Sequence, residues 1–257
     1  MDHASATRET FNAYAEGYEE KFNQNILGQY QRKTVHRSIA PFLRSGDAIL
    51  DVGCGPGSDF AFYKSLQLKV DAIDISPEMA KLASRTAAEL DLSAKIENVP
   101  LADFRTENQY DLIILNFGVV NLFQNLPEAL QQLNSMLKQD GALVIVSMPP
   151  FHFFSMLGDL LTLRTPSLVN RILHKEAAVA NGLKFFYYTK KDFQTHFKIV
   201  KSIHLCWCLP TPDQHAGNKM ARWTAKLLIK IDSRLQHAVP DFLGGDHICY
   251  ICRALET

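Results

Sequence analysis

Residues 49–57 read Ile-Leu-Asp-Val-Gly-Cys-Gly-Pro-Gly, a short apolar run followed by three alternating glycines. The run has the length of a buried strand, and the residues after it favour a helix over 57–66. Glycine permits a positive φ and carries no side chain, so a ligand can lie directly against such a turn. The pattern predicts an open α/β sheet that binds a ligand at the carboxyl ends of its strands.

The spacing of the glycines bears on the kind of ligand. Dinucleotide sites use Gly-x-Gly-x-x-Gly because a pyrophosphate must meet the amino end of the helix. Here the spacing is Gly-x-Gly-x-Gly, and Asp51 precedes it. A carboxylate repels phosphate and attracts a cation, and S-adenosylmethionine carries an ammonium and a sulfonium but no phosphate. The pattern favours this cofactor; the alternatives are a nicotinamide dinucleotide or a tight turn without a ligand, in which Asp51 caps the backbone.

A second acid stands at the expected distance. Residues 70–76 read Val-Asp-Ala-Ile-Asp-Ile-Ser, a strand that ends in Asp74. In dinucleotide folds an acid about 20 residues beyond the glycine turn accepts hydrogen bonds from the ribose hydroxyls. We expect the same of Asp74, with Ile75 and Met79 near the adenine.

Alternating strand and helix patterns extend through the chain. Strands are predicted over 49–53, 70–75, 95–98, 111–116, 142–147, 198–208 and 248–253. Helices are predicted as a pair within 8–43 and over 57–66, 77–90, 126–137, 190–197 and 219–235. Together they predict an α/β fold: a Rossmann-like, seven-stranded, mostly parallel sheet with helices on both faces and helical insertions that form a lid. We expect one domain over 1–257, with a helical cap (1–45), a cofactor-binding core (46–148) and lid insertions (149–188 and 209–240).

These motifs resemble those of the class I S-adenosylmethionine-dependent methyltransferases, in particular small-molecule, type 11-like members. Residues 50–57 match the first motif and residues 74–79 the second. The likeness continues through 110–113, 116–118 and 137–143, and it covers about residues 10–148. It implies that the turn lines the methionine part of the cofactor and that the end of strand four lies close to the methyl group. The residues concerned are Gly53, Cys54, Gly55 and Gly57 in the turn, and Asn116 and Phe117 after strand four.

Two cofactor contacts stay open. Many relatives end strand three with an Asp that binds the adenine amine; here Asn98 with Val99 fits the spacing, and Asp103 fits with a shortened loop. The amino-terminal segment resembles an opening helix whose aromatic side chain closes over the cofactor. The candidates there are Tyr14, Tyr18, Tyr30 and Arg32, and the guanidinium of Arg32 suits the cofactor carboxylate.

The acceptor is less constrained than the cofactor. Residues 151–154 and 185–188 are rich in aromatic side chains that pack in a lid or wall an apolar acceptor pocket. His152 and Asn121 are the candidate catalytic residues, and further acid–base candidates are Tyr187, His215 and His247. The pattern predicts methylation of a small aromatic or lipophilic metabolite, with S-adenosylhomocysteine as the product. The alternatives are a quinone-biosynthesis-type C-methyltransferase and a catalytically silent protein that binds the cofactor or a partner.

Composition limits the partners. Lys plus Arg and Asp plus Glu both number 27, which gives no general attraction to nucleic acid. We expect a cytoplasmic monomer or homodimer, because the chain shows no signal peptide and no apolar run of about 20 residues. The cysteine pairs 206/208 and 249/252 resemble alternating strand residues more than zinc knuckles, so no metal is expected. The helix 223–235 is amphipathic, which is typical of a solvated surface helix or of an interfacial membrane contact.

Overall fold

The computed structural model describes residues 2–18, 25–150, 175–178, 182–209, 219–236, 238–239 and 244–255, with the backbone alone for 219–224. A seven-stranded sheet forms the centre of the fold. Its strands are β1 (Ala48–Val52), β2 (Lys69–Ile73), β3 (Ala94–Glu97), β4 (Tyr110–Leu115), β5 (Leu137–Ser147), β8 (Phe197–Leu205) and β9 (His247–Ala254). They lie in the order β3-β2-β1-β4-β5-β9-β8. Strands β1 to β5 pair in parallel, and β9 is antiparallel to both β5 and β8. The predicted α/β fold with a seven-stranded, mostly parallel sheet is confirmed.

Helices cover both faces of this sheet. They are α1 (His3–Ala15), α2 (Ile26–Ile39), α3 (Phe60–Ser65), α4 (Pro77–Glu89), α5 (Leu126–Ser135), α6 (Lys190–Gln194) and α7 (Lys219–Leu235). Leu50 of β1 belongs to a buried cluster with α5 and α6, whereas Ile49 belongs to another with α2, α3 and α4. Neighbouring strand residues point to opposite faces, so each strand of the centre serves two core layers.

Local sequence explains where α4 begins. The Ser76 hydroxyl accepts the backbone N–H of Met79 at 3.1 Å, and Pro77 occupies the first helical position. Both are favoured at a helix amino terminus. Asn12 of α1 also lies 2.6 Å from the Ser76 hydroxyl, so α1 packs directly over the end of β2.

Two of the predicted strands differ from the structure by three residues or more. The strand predicted over 142–147 begins at Leu137, so Gly141 lies inside β5 instead of separating that strand from the helix before it. The strand predicted over 198–208 ends at Leu205, and Cys206 follows it with a φ of +53°. The pair Cys206 and Cys208 therefore does not alternate within a strand, and that explanation of its spacing was wrong.

Part of the predicted lid is described. Residues Glu176–Ala178 (β6) and Lys184–Phe186 (β7) form an antiparallel hairpin. No helix among the described residues is long and apolar enough to cross a membrane.

Candidate functional site

The strand order reverses between β1 and β4, and the loops at their carboxyl ends frame a crevice. The glycine turn occupies this place, with φ angles of +71° at Gly53, +55° at Gly55 and +79° at Gly57. A Cβ on Gly53 would lie 2.6 Å from Val119, and one on Gly57 would lie 2.7 Å from Phe60. A Cβ on Gly55 would meet nothing within 4 Å. Gly53 and Gly57 thus serve the packing of the protein, while Gly55 borders open space.

Asp74 is bound to this turn. One carboxylate oxygen accepts the Gly55 N–H at 2.9 Å and the other accepts the Ser76 N–H at 2.8 Å. Burial raises the pKa of Asp74 to about 6, against the effect of these two donors. The side-chain amide of Asn98 donates to the backbone carbonyl of Asp74 at 2.8 Å. Three predicted cofactor residues, Gly55, Asp74 and Asn98, are therefore brought together.

Asp51 lies beneath the turn and is almost fully buried. Its Oδ2 accepts the Tyr63 hydroxyl at 3.0 Å, whereas its Oδ1 is buried and accepts no hydrogen bond from any described residue. Burial, followed by the charge of Asp59, raises the pKa of Asp51 to about 8. A buried acceptor without a donor is costly, so this oxygen marks a place where a cationic ligand would be stabilised.

Asp59 forms the centre of a polar cluster that the sequence did not reveal. It contacts Arg32 and His36, each at 2.6 Å, and accepts the side-chain amide of Asn116 at 2.9 Å. Burial alone would raise the pKa of Asp59, but Arg32 and His36 hold it well below its ordinary value. The cluster fastens α2 to the ends of β1 and β4. In the sequence the only sign of this cluster was the acid Asp59 just after the turn, because its partners Arg32 and His36 lie on another helix.

Aromatic side chains close the same region. Phe117, at the end of β4, has a φ of +46°, and the Arg32 guanidinium lies 4.9 Å from the centre of its ring. The pKa of Tyr18 is raised by burial and, against the opposing effect of Arg32, by the charges of the carboxylates 51, 59 and 74. Tyr18 and Arg32 therefore lie within this group of charges.

Tyr30 lies elsewhere. Its hydroxyl donates to Asp232 of α7 at 2.9 Å, and its ring packs with Leu27 and Cys206. Residues two apart in a helix point about 200° apart, so Tyr30 and Arg32 cannot both face the crevice. The structure gives Tyr30 a role in joining α2 to α7, which corrects its expected place beside the cofactor.

The candidate acid–base residues also lie in different places. Asn121 is fully buried; its amide donates to the carbonyls of Met148 at 3.0 Å and Phe186 at 2.7 Å, and its carbonyl accepts the Met148 N–H at 2.9 Å. These bonds occupy its amide, so a role in holding the hairpin replaces the catalytic one. The ring of His247 lies edge-on to Phe117 at 5.7 Å, and its Nδ1 is 3.0 Å from Asp246. His152 and His215 lie outside the described residues.

The remaining predicted residues occupy the rim or the core. Tyr187 is buried, and Tyr14 is exposed on α1. Met79 is buried in the first turn of α4, Val99 packs against the core, and Cys54 is buried in the turn. Burial raises the pKa of the Cys54 thiol well above its usual value, which disfavours a nucleophilic thiolate.

Comparison with known proteins supports one family. Residues 49–141 match the family model of the methyltransferase domain. The chain is 32% identical over 131 residues to malonyl-[acyl-carrier protein] O-methyltransferase of Pseudescherichia vulneris, covering 48% of this chain and 50% of that protein. It is 30% identical over 131 residues to demethylmenaquinone methyltransferase of Renibacterium salmoninarum, covering 49% and 53%. The chain thus spans about half the length of the curated relatives it matches.

Solved structures share the architecture. The 1,6-didemethyltoxoflavin-N1-methyltransferase of Burkholderia thailandensis, crystallised with 1,6-didemethyltoxoflavin and S-adenosylhomocysteine, aligns with a TM-score of 0.62 and 13% identity. The alignment covers 98% of this chain and 89% of that one. At this level of identity the likeness establishes the fold.

Proposed function

We propose that this chain, which belongs to the class I S-adenosylmethionine-dependent methyltransferases, transfers a methyl group from S-adenosylmethionine to a small, apolar acceptor. The observation that most supports this proposal is the glycine turn, where Gly55 borders open space and its N–H donates to Asp74. Bound there, S-adenosylmethionine supplies a methyl group on a positively charged sulfur, and an acceptor lone pair displaces it to leave S-adenosylhomocysteine.

The residues present fit this cofactor. Asp51 Oδ1, which accepts no hydrogen bond from the described residues, suits the ammonium group above the turn. Asp74 has lone pairs left on both oxygens for the ribose hydroxyls. We propose that Ile75, Met79, Asn98 and Val99 surround the adenine, and that Tyr18, Arg32, Asn116 and Phe117 surround the methionine part and the methyl group.

The charges of the site favour a cation over a dinucleotide. The carboxyl groups of Asp51, Asp59 and Asp74 lie around one turn, and Arg32 forms an ion pair with Asp59. Like charges at close range repel strongly where water is excluded. A bound ammonium would favour the ionised form of Asp51, whose proton is otherwise retained because of burial, whereas a pyrophosphate at Gly55 would disfavour it.

For the acceptor we propose a small aromatic or lipophilic metabolite. Phe117 offers an aromatic wall beside the proposed place of the methyl group. The toxoflavin N1-methyltransferase with the same fold was crystallised with 1,6-didemethyltoxoflavin bound. A quinone-type carbon acceptor is the second candidate, supported by the match to demethylmenaquinone methyltransferase.

A panel of phenols, heteroaromatic amines and quinols, assayed by release of S-adenosylhomocysteine, distinguishes the two acceptor classes. Turnover of none of them would favour a silent cofactor-binding protein.

We propose His247 as the group that accepts a proton from the acceptor. Asp246 holds its Nδ1, and its ring contacts Phe117. General-base catalysis contributes about 10²–10⁴-fold, so His247→Gln is expected to lower kcat by that order while leaving the affinity for S-adenosylhomocysteine unchanged. An unchanged kcat together with an unchanged pH profile of kcat would contradict this role.

Calorimetric titration with S-adenosylhomocysteine tests the cofactor assignment. Wild-type protein should bind it and should not bind a nicotinamide dinucleotide. Asp74→Asn removes the charge from a hydrogen-bonded site, so the affinity should fall roughly 10–100-fold. Glu89→Gln, an exposed change at the end of α4, should bind like the wild type. Binding of the dinucleotide alone, or full affinity in Asp74→Asn, would overturn the proposal.

A further inference from the structure

The outer face of α7 carries an apolar stripe. Leu227, Ile231 and Leu235 are 49%, 42% and 40% exposed and follow one another at intervals of four residues. Residues four apart lie on the same face of a helix. Large apolar side chains in one exposed row are uncommon on a free surface and mark an interaction site.

The inner face of α7 is fixed, so this stripe cannot turn inward. Asp232 is fully buried and accepts the Tyr30 hydroxyl at 2.9 Å and the Cys208 backbone N–H at 3.0 Å. Ala225 also packs in the buried cluster beneath the helix. These contacts bind α7 to α2 and to the turn after β8, and they set which face looks outward.

Cations flank the stripe on one side. Lys226, Lys230 and Arg234 are exposed on the same outer half of α7. Across the gap between α7 and α2, Lys230 joins Lys33 and Arg37 around a groove of about 620 Å³. The only acid of α7 is the buried Asp232, and α2 contains none. A chain whose charges balance overall therefore presents a local surface of five cations.

The groove between these helices is apolar at its base. Tyr30, Ala40, Phe62 and Ile229 are among its lining residues, and none of the described lining residues is acidic. An apolar floor with a cationic rim suits a molecule that has a hydrocarbon portion and an anionic head. This is the chemistry of an anionic phospholipid.

We propose that α7 and the adjoining groove dock on the surface of an anionic phospholipid bilayer, with the stripe among the acyl chains and the cations at the headgroups. A helix with an apolar face beside Lys and Arg has the pattern of an interfacial helix. Lysine is depleted in protein interfaces, and leucine contributes little to their binding energy. The stripe of Leu and Ile beside Lys therefore favours a bilayer over a protein partner. This docking does not depend on the proposed methyl transfer.

Vesicle co-sedimentation of the full chain tests the proposal. Binding is expected to vesicles of phosphatidylcholine with phosphatidylglycerol, and not to phosphatidylcholine alone, and it should weaken in high salt. Replacing Lys226, Lys230 and Arg234 with Gln should weaken partitioning about fivefold for each cation removed. The triple change Leu227→Ser, Ile231→Ser and Leu235→Ser should weaken it by at least about tenfold.

Matched controls carry the same kinds of change elsewhere. Val200→Ser replaces a 51% exposed residue of β8, and Lys81→Gln removes an exposed cation of α4. Both should bind vesicles like the wild type, and all variants should keep the circular dichroism spectrum and the S-adenosylhomocysteine affinity. No sedimentation with anionic vesicles would overturn the proposal. So would a wild-type dimer that the serine variant converts to a monomer, since a second copy would then cover the stripe.

Discussion

Gly53 and Gly55 stand two residues apart in one turn, yet alanine should affect them in different ways. At Gly53 the left-handed φ and the close approach of Val119 add together, so Gly53→Ala should lower the free energy of unfolding by about 2–5 kcal/mol. At Gly55 only the φ is unfavourable, and the loss should be about 1–2 kcal/mol. The methyl group added by Gly55→Ala would instead fill the space proposed for the cofactor and lower the S-adenosylhomocysteine affinity at least about tenfold. Urea unfolding and calorimetry measure the two effects; similar affinities in Gly55→Ala and the wild type would contradict the prediction.

Asp51 should make the ligand-free protein less stable at higher pH. Its pKa is raised from 3.8 to about 8, so between these values the folded protein holds a proton that the unfolded chain has released. The free energy of unfolding therefore falls as the pH rises through this interval. Asp51→Asn removes this dependence, so its free energy of unfolding relative to the wild type should rise by up to about 1.4 kcal/mol per pH unit across the interval, while cofactor binding weakens. Urea unfolding at several pH values measures it, and an unaltered pH slope in the variant would count against it.

The residue types in the glycine turn could be predicted because the backbone conformations that require them depend on nearby residues. The positive φ values at Gly53, Gly55 and Gly57 and the cap at Ser76 depend on neighbours within a few residues. The hydrogen bonds of Asn121 could not be predicted, because its partners Met148 and Phe186 lie 27 and 65 residues away. An asparagine near an active site gives no sign in the sequence of whether its amide faces a ligand or the backbone.

At the scale of elements, the buried carboxylate of Asp59 adds to the apolar packing that holds α2 to the sheet. Asp59→Ala would leave Arg32 and His36 without their shared acid and should cost about 3–5 kcal/mol of unfolding free energy. Lys138→Ala breaks the exposed ion pair with Asp111 and should cost less than about 1 kcal/mol. Thermal unfolding of both variants makes the comparison, and equal losses would show that the cluster does not hold the helix.

The rotation of α2 explains why Tyr30 and Arg32, both predicted beside the cofactor, lie in different places. The helix itself was predicted, but the face that meets the sheet depends on contacts far away in sequence. Tyr30 pairs with Asp232, 202 residues later, while Arg32 pairs with Asp59. A helix with polar and aromatic residues on several sides leaves its orientation open until such partners are known.

Over the whole molecule, the parts that could be predicted from the sequence are those whose chemistry many proteins have in common. The core predicted from 46 to 148 would bind a cofactor of fixed shape, and such a site requires strands, glycines and acids in a common pattern. The family match falls within it at 49–141. The acceptor side varies with the acceptor, and methyl transfer requires alignment more than a fixed set of side chains. The sequence therefore indicated the cofactor, whereas the acceptor rests on the few described residues around Phe117 and His247.

Cofactor binding should stabilise the molecule as a whole, because the turn, α2 and the end of β2 meet at one site. A ligand at 100 times its Kd adds about 2.7 kcal/mol to the free energy of unfolding. For a chain of this size, S-adenosylhomocysteine should then raise Tm by roughly 5–10 °C. Thermal unfolding followed by circular dichroism measures the shift, with Asp74→Asn as the weakened control and a nicotinamide dinucleotide as the inert ligand. A shift of equal size in Asp74→Asn at the same ligand concentration would place the binding energy outside the crevice formed by β1, β2 and β4.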